Sequence, residues 1–160
     1  MSRSVDASVA ANAGRPVAEL FASEHEGLRR LARLLTGSDA MAEDLVQEAF
    51  VRLQAAPIGP ANPGGYLRTV LVNLCRDYLR RQARARQQAV AIPLVEAPHE
   101  IDETWAAVCS LPFRQRAAVV LRYYQDLPEA EIANLLGCRP GTVKSSLSRA
   151  LATLRKELSP

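Results

Sequence analysis

Between Tyr66 and Arg86 the apolar side chains fall in pairs every four residues: Tyr66 and Leu67, Val70 and Leu71, Leu74 and Cys75, Tyr78 and Leu79. That spacing draws one apolar stripe along a helix and excludes a strand, whose side chains change face at every residue. A stripe of this length is unstable in water, so the rest of the chain has to supply helices that cover it. The opposite face carries Arg68, Asn73, Arg76, Asp77, Arg80, Arg81, Arg84 and Arg86, six arginines against one acid. One side of the helix therefore belongs in a core, and the other is suited to a polyanion.

Two covering helices precede it. Residues 17–36 place Leu20, Phe21, Leu28, Leu31, Leu34 and Leu35 at helical spacing, and residues 40–55 do the same with Met41, Leu45, Val46, Ala49, Phe50 and Leu53. Thr36-Gly37-Ser38-Asp39 separates them, with Ser38 or Asp39 as the N-cap of the second. Ala56 to Gly65 holds three prolines and three glycines and reads as a shaped, rigid loop. After Arg86 the periodicity fails. Residues 87–103 contain Pro93 and Pro98 with Glu96, Glu100, Asp102 and Glu103, the composition of an acidic linker. Helical patterns resume at about 102–110, 113–125, 128–136 and 140–157. The expectation is an all-α chain: a disordered N-terminus over 1–16, a helical domain over 17–86, a flexible linker over 87–103 and a second helical domain over 104–160. Each domain is small enough to have a thin core.

The formal charge of +3 conceals strong segregation. Acids gather at Glu19, Glu24, Glu26, Asp39, Glu43, Asp44 and Glu48. Residues 139–156 hold Arg139, Lys144, Arg149, Arg155 and Lys156 without an acid. Two basic helices on two small domains suit two contacts with one polyanion. The second of them closes a helix-turn-helix over 128–154. Ile132, Ala133 and Leu136 face inward on a short helix, Gly137 suits the left-handed end of that helix, and Pro140 suits the first turn of the next. Val143, Leu147, Leu151 and Leu154 then form its buried stripe. Thr142, Lys144, Ser145, Ser148 and Arg149 open its outward face, where helix N-termini meet phosphates and base edges.

Several function classes find no support. The chain has no GxxxxGK[ST], GxGxxG or GxSxG motif. Cys75, Cys109 and Cys138, with His25 and His99, form no metal-ligand spacing, so no cofactor or metal is expected and the cysteines read as small buried hydrophobes. No apolar run is long enough to span a bilayer, and residues 1–16 lack the apolar core of a signal peptide, which places the chain in a reducing cytoplasm without membrane insertion.

These pieces together resemble the extracytoplasmic-function group of sigma factors, the small sigma-70 relatives that direct bacterial RNA polymerase to promoters. AEDLVQEAFVRL (42–53) is similar to the region 2.2 helix, GYLRTVLVNLCRDYLRR (65–81) to the region 2.3–2.4 helix, and 111–158 to region 4. LARLLTG, GTVKS and the high alanine and arginine usage resemble actinobacterial members. The resemblance implies a region 2 helical bundle, a region 4 helix-turn-helix, and no enzymatic activity. Its implied partners are core RNA polymerase, through the β′ clamp helices and the β flap, promoter DNA, and by family habit an anti-sigma factor.

It also implies site residues. Asp44, Gln47, Glu48 and Val51 would dock on polymerase. Asn73, Arg76, Asp77, Arg80, Arg81 and Arg84 would meet the −10 element, beside a loop that holds a flipped base. Arg139, Thr142, Lys144, Ser145, Ser148 and Arg149 would meet the −35 element, where Lys144 and Arg149 either read guanine acceptors or grip phosphates. Tyr66 stands where relatives usually carry Trp, Ser146 and Ser148 where they carry larger side chains, and Arg139 where many have a capping Ser. The rival readings are a stand-alone helix-turn-helix regulator, which would dimerise on an operator, and a sigma-mimicking adaptor that captures an anti-sigma factor. The retained basic helices argue against the adaptor.

Overall fold

The computed structural model describes residues 16–56, 60–88 and 103–160. The expected N-terminal lead-in, the tip of the Pro/Gly loop and nearly all of the expected linker lie outside these residues. Among the described residues the elements are all helical: α1 (Val17–Thr36), α2 (Asp39–Ala55), α3 (Pro63–Gln88), α4 (Glu103–Ser110), α5 (Phe113–Val119), α6 (Glu129–Leu136) and α7 (Pro140–Leu158).

The α1–α2 hairpin turns on two residues. Gly37 ends α1 at φ 76°, a conformation that costs glycine nothing, and its N–H donates to the Arg33 carbonyl at 2.8 Å. Ser38, of the two candidates, is the cap of α2: its Oγ accepts from the Met41 N–H at 3.3 Å. Ser38→Ala is expected to cost about 1 kcal/mol, read from the denaturant midpoint at unchanged m-value.

The loop before α3 is shorter than the expected 56–65. Pro63, Gly64 and Gly65 form the first helical turn instead, because Asn62 Oδ1 accepts from the Gly65 N–H at 3.1 Å and caps the helix. Proline at the first helical position has no N–H to lose. At the other end α3 runs to Gln88, two residues past the expected domain boundary.

Leu67, Leu71, Val72, Leu74 and Cys75 of α3 are buried against Leu28, Leu31, Ala32 and Leu35 of α1 and Leu45, Val46, Ala49, Phe50 and Leu53 of α2. Phe21 departs from expectation. It stays 40% exposed, leaning on Phe50 at 5.0 Å and on the His25 ring at 4.5 Å. Burial pushes the Cys75 thiol up to about 12. Since the thiolate is the reactive form, Cys75 is expected to resist iodoacetamide in the folded chain and to be labelled only in denaturant, as peptide mapping would show.

In the second domain α5 does not continue to residue 125 as one α-helix. At Val120–Tyr124 it widens into a π-helical turn, where the Gln125 N–H reaches the Val120 carbonyl at 3.2 Å, and Asp126 then takes φ 53°. Such a turn shifts the register of the side chains that follow it. Val120 and Leu121 are buried, while Tyr123 and Tyr124 remain outside. Ala117, Ala118 and Leu121 pack with Ile132, Ala133 and Leu136 of α6 and with Val143, Leu147 and Ala150 of α7.

The two domains share one continuous apolar cluster. α1 packs on α4 and α5, and α3 packs on α6. Each thin core is thereby thickened by the other, which the expectation of two domains on a linker did not contain.

Candidate functional site

The helix-turn-helix is built by its two ends. Gly137 closes α6 at φ 62°, and the Cys138 N–H donates back to the Ala133 carbonyl at 3.0 Å. Pro140 opens α7 behind Arg139, whose side chain makes no capping bond. The exposed guanidinium of Arg139 is therefore free to meet an anion at this helix start. Lys144, Ser145, Ser148 and Arg149 are exposed as well, and Thr142 is half-buried. The Ser145 hydroxyl donates to the Thr142 carbonyl at 3.1 Å.

Val143, Ser146, Leu147 and Ala150 are buried on the other side of α7. Ser146 thus belongs to the packing face, and its small side chain lets α7 lie close to its neighbours rather than bearing on DNA contacts. The buried stripe also differs from the expected Val143, Leu147, Leu151, Leu154. A strict i+4 series drifts about 40° per step around a helix of 3.6 residues per turn. The core side is accordingly taken over by Ala150, Leu151 is only half-buried, and Leu154 packs at the cluster's edge.

On α3, Asp77, Arg80, Arg81 and Arg84 are exposed. Asn73 and Arg76 are half-buried and bound to each other, with Arg76 Nη2 donating to Asn73 Oδ1 at 2.6 Å. Arg76 Nε is buried without an acceptor. Arg76 and Arg80 line a cleft whose far wall comes from the second domain. The basic face of α3 is therefore divided: Arg81 and Arg84 face solvent, and Arg68, Arg76 and Arg80 lie at the domain seam.

Asp44, Gln47, Glu48 and Val51 share one exposed face of α2, opposite Leu45, Val46, Ala49 and Phe50. Val51 is 56% exposed, a large apolar side chain with no cover among the described residues. Gln47 Nε2 donates to Glu43 Oε1 at 3.2 Å, and Glu48 Oε1 accepts from Arg52 Nε at 2.9 Å. Glu43 also binds His25 Nε2 at 2.9 Å, and that hydrogen bond, ahead of the ones from Gln47 and the charge of Arg29, holds its carboxyl below the usual range. This face thus sets one exposed apolar side chain among an amide and carboxylates.

The residues that join the domains are not among those expected from the sequence. Arg116 Nη1 donates to the Leu35 carbonyl at 2.7 Å, in the last turn of α1, and Nη2 donates to the carbonyls of Leu111 at 3.2 Å and Cys109. Burial lowers the Arg116 guanidinium from its ordinary value, with the three carbonyl dipoles as its partners. Arg33 lies over the Trp105 ring at 4.9 Å, and Arg68 Nη1 meets Glu131 Oε1 at 3.4 Å. One signal was available for Arg116: it stands three residues after Phe113 and directly before the buried pair Ala117-Ala118, which puts a cation beside an apolar face.

Family models agree with the two-domain layout. Residues 20–85 match sigma-70 region 2, and residues 101–154 match sigma-70 region 4. The chain is 34% identical over 149 residues to the ECF RNA polymerase sigma factor SigM of Mycobacterium tuberculosis, covering 88% of this chain and 76% of that one. It is 31% identical over 149 residues to the RNA polymerase sigma-E factor of Streptomyces avermitilis, covering 88% and 83%. Among solved structures it is similar to the sigma factor RpoE of Bartonella quintana in complex with the anti-sigma factor NepR, with a TM-score of 0.70, 27% identity, and coverage of 88% and 95%. With both regions present in order on an all-helical chain, and with these relatives aligned over most of their length, the protein belongs to the extracytoplasmic-function (ECF) RNA polymerase sigma factors.

Proposed function

We propose that the chain directs transcription initiation by docking on core RNA polymerase and reading two promoter elements, acting in the cytoplasm and contributing no catalytic group of its own. Residues 17–86 carry the docking face, Asp44, Gln47, Glu48 and Val51, and the −10 contacts, Asn73, Arg76, Asp77, Arg80, Arg81 and Arg84. Residues 104–160 carry the −35 contacts, Arg139, Thr142, Lys144, Ser145, Ser148 and Arg149. The observation that supports this most is the division of the first half of α7 into a buried side, Val143, Ser146, Leu147 and Ala150, and an outward side that carries Lys144, Ser145, Ser148 and Arg149. A helix seated in a major groove needs that combination: cations for phosphates and for guanine acceptors, and hydroxyls for either partner. An anti-sigma factor is a further partner on this reading, since the related RpoE is bound to one.

The test is transcription from a genomic fragment library by purified core polymerase with and without the protein. Promoter-specific transcripts are expected only with it, and failure to bind core polymerase would overturn the proposal. Lys144→Glu is expected to reduce −35-dependent initiation about tenfold, with core binding unchanged in a pull-down. A dimer that binds an operator tightly without polymerase would favour the stand-alone regulator instead.

A further inference from the structure

The seam between the two domains contains a cleft of about 400 Å³ lined by Arg76, Leu79 and Arg80 of α3 and by Phe113, Arg114 and Leu136 of the second domain. Three arginines, two from one side and one from the other, line it, and no carboxylate is among its described lining residues. Glu131, on the facing helix α6, is already paired with Arg68. Arg80 and Arg114 are exposed and Arg76 is half-buried, so an anion entering from solvent can reach cations on both walls. The Arg76 Nε donor is buried with no acceptor, an expensive state for a charged group. The closed arrangement therefore has a surplus of cationic donors at the place where the domains meet, and the volume is that of a small-ligand site.

We propose that this cleft binds a small polyphosphate anion that bridges α3 and the second domain and holds the two domains closed. Phosphate oxygens are the acceptors that guanidinium forks fit best, and several linked phosphates can satisfy arginines from both walls at once. Leu79, Phe113 and Leu136 add an apolar wall against which a nucleoside can rest. The site does not depend on assigning Arg76 and Arg80 to DNA. If that assignment also holds, polyphosphate and promoter phosphates compete for the same two side chains.

The experiment uses the full chain, titrated separately with sodium tripolyphosphate and with ATP at constant ionic strength. Binding is read by calorimetry and by the fluorescence of Trp105, the single tryptophan, which lies against Arg33 of the other domain. Saturable binding at one site per chain is expected, with a change in Trp105 emission and a raised melting temperature. Tighter binding of ATP identifies a nucleotide as the source, and equal binding identifies an inorganic one. Arg114 is exposed, so Arg114→Glu should fold normally and weaken binding at least about tenfold, with Arg114→Gln intermediate. Lys156→Glu, the same charge change on the exposed end of α7, should leave the affinity within about twofold. The proposal is overturned if neither probe saturates, if Lys156→Glu costs as much as Arg114→Glu, or if Arg114→Glu weakens binding of a DNA oligonucleotide while neither small anion binds.

Discussion

Asp44→Arg is expected to abolish binding to core polymerase, raising the dissociation constant at least about a hundredfold, while the circular dichroism and melting temperature of the protein stay unchanged. The two halves of that result follow from one geometry. Asp44 is exposed on α2, away from the buried row of Leu45, Val46, Ala49 and Phe50, so its replacement disturbs no core contact. If this face docks as proposed, the same replacement sets a cation where polymerase would meet a carboxylate, and like-charge juxtaposition across an interface costs several kcal/mol. Surface plasmon resonance with immobilised core polymerase would measure the loss, which should diminish as salt is raised. Unchanged affinity of Asp44→Arg would show that polymerase docks elsewhere. Val51→Asp then gives an independent check, because it removes the exposed apolar contact of the same face.

The second large effect is expected at Arg116. Arg116→Ala removes the donors to the carbonyls of Leu35, Cys109 and Leu111, one acceptor at the end of α1 and two at the end of α4. Hydrogen bonds from a charged donor are worth more than neutral ones, and partly buried carbonyls left without partners add to the loss. A cost of about 3 kcal/mol is expected, or a fall of roughly 6–12 °C in melting temperature for a chain of this size. Arg116→Lys should recover only part of it, because an ammonium cannot span acceptors that a planar guanidinium fork reaches together. A second reading of the same variant is Trp105 fluorescence. Losing the bond to Leu35 loosens the seam, so the Arg33–Trp105 contact should weaken and the emission should shift toward that of a solvated indole.

What could be read from the sequence was what repeats at a helical period. The positions of α1, α2, α3 and α7 follow from apolar spacing and from Gly37, Ser38, Gly137 and Pro140. The outward faces of α2 and α7 follow from the same spacing by subtraction. The features that escaped involve partners far apart in sequence or small changes of register. Arg116 reaches Leu35 across 81 residues, and no local pattern reports such a bond. The π-helical turn at Val120–Tyr124 leaves the apolar pattern of α5 nearly intact and shows itself only by turning Tyr123 and Tyr124 outward. Ser146 falls outside an apolar stripe because serine is polar, yet it is buried on the packing side of α7. Asn62 was hidden within a run of prolines and glycines, although an Asn-Pro pair is also a helix start.

The two-residue turn at Gly37–Ser38 sets an order of events during synthesis. Helices joined so briefly meet through contacts close in sequence, and such contacts form fastest because little chain entropy is lost in closing them. α1 and α2 can pair as soon as both have left the ribosome, and α3 then finds a groove already formed. The carbonyl of Leu35 waits for its partner, since Arg116 is made 81 residues later. The seam therefore forms only after the second domain has begun to be made, and the face of α2 proposed to dock on polymerase is complete before that.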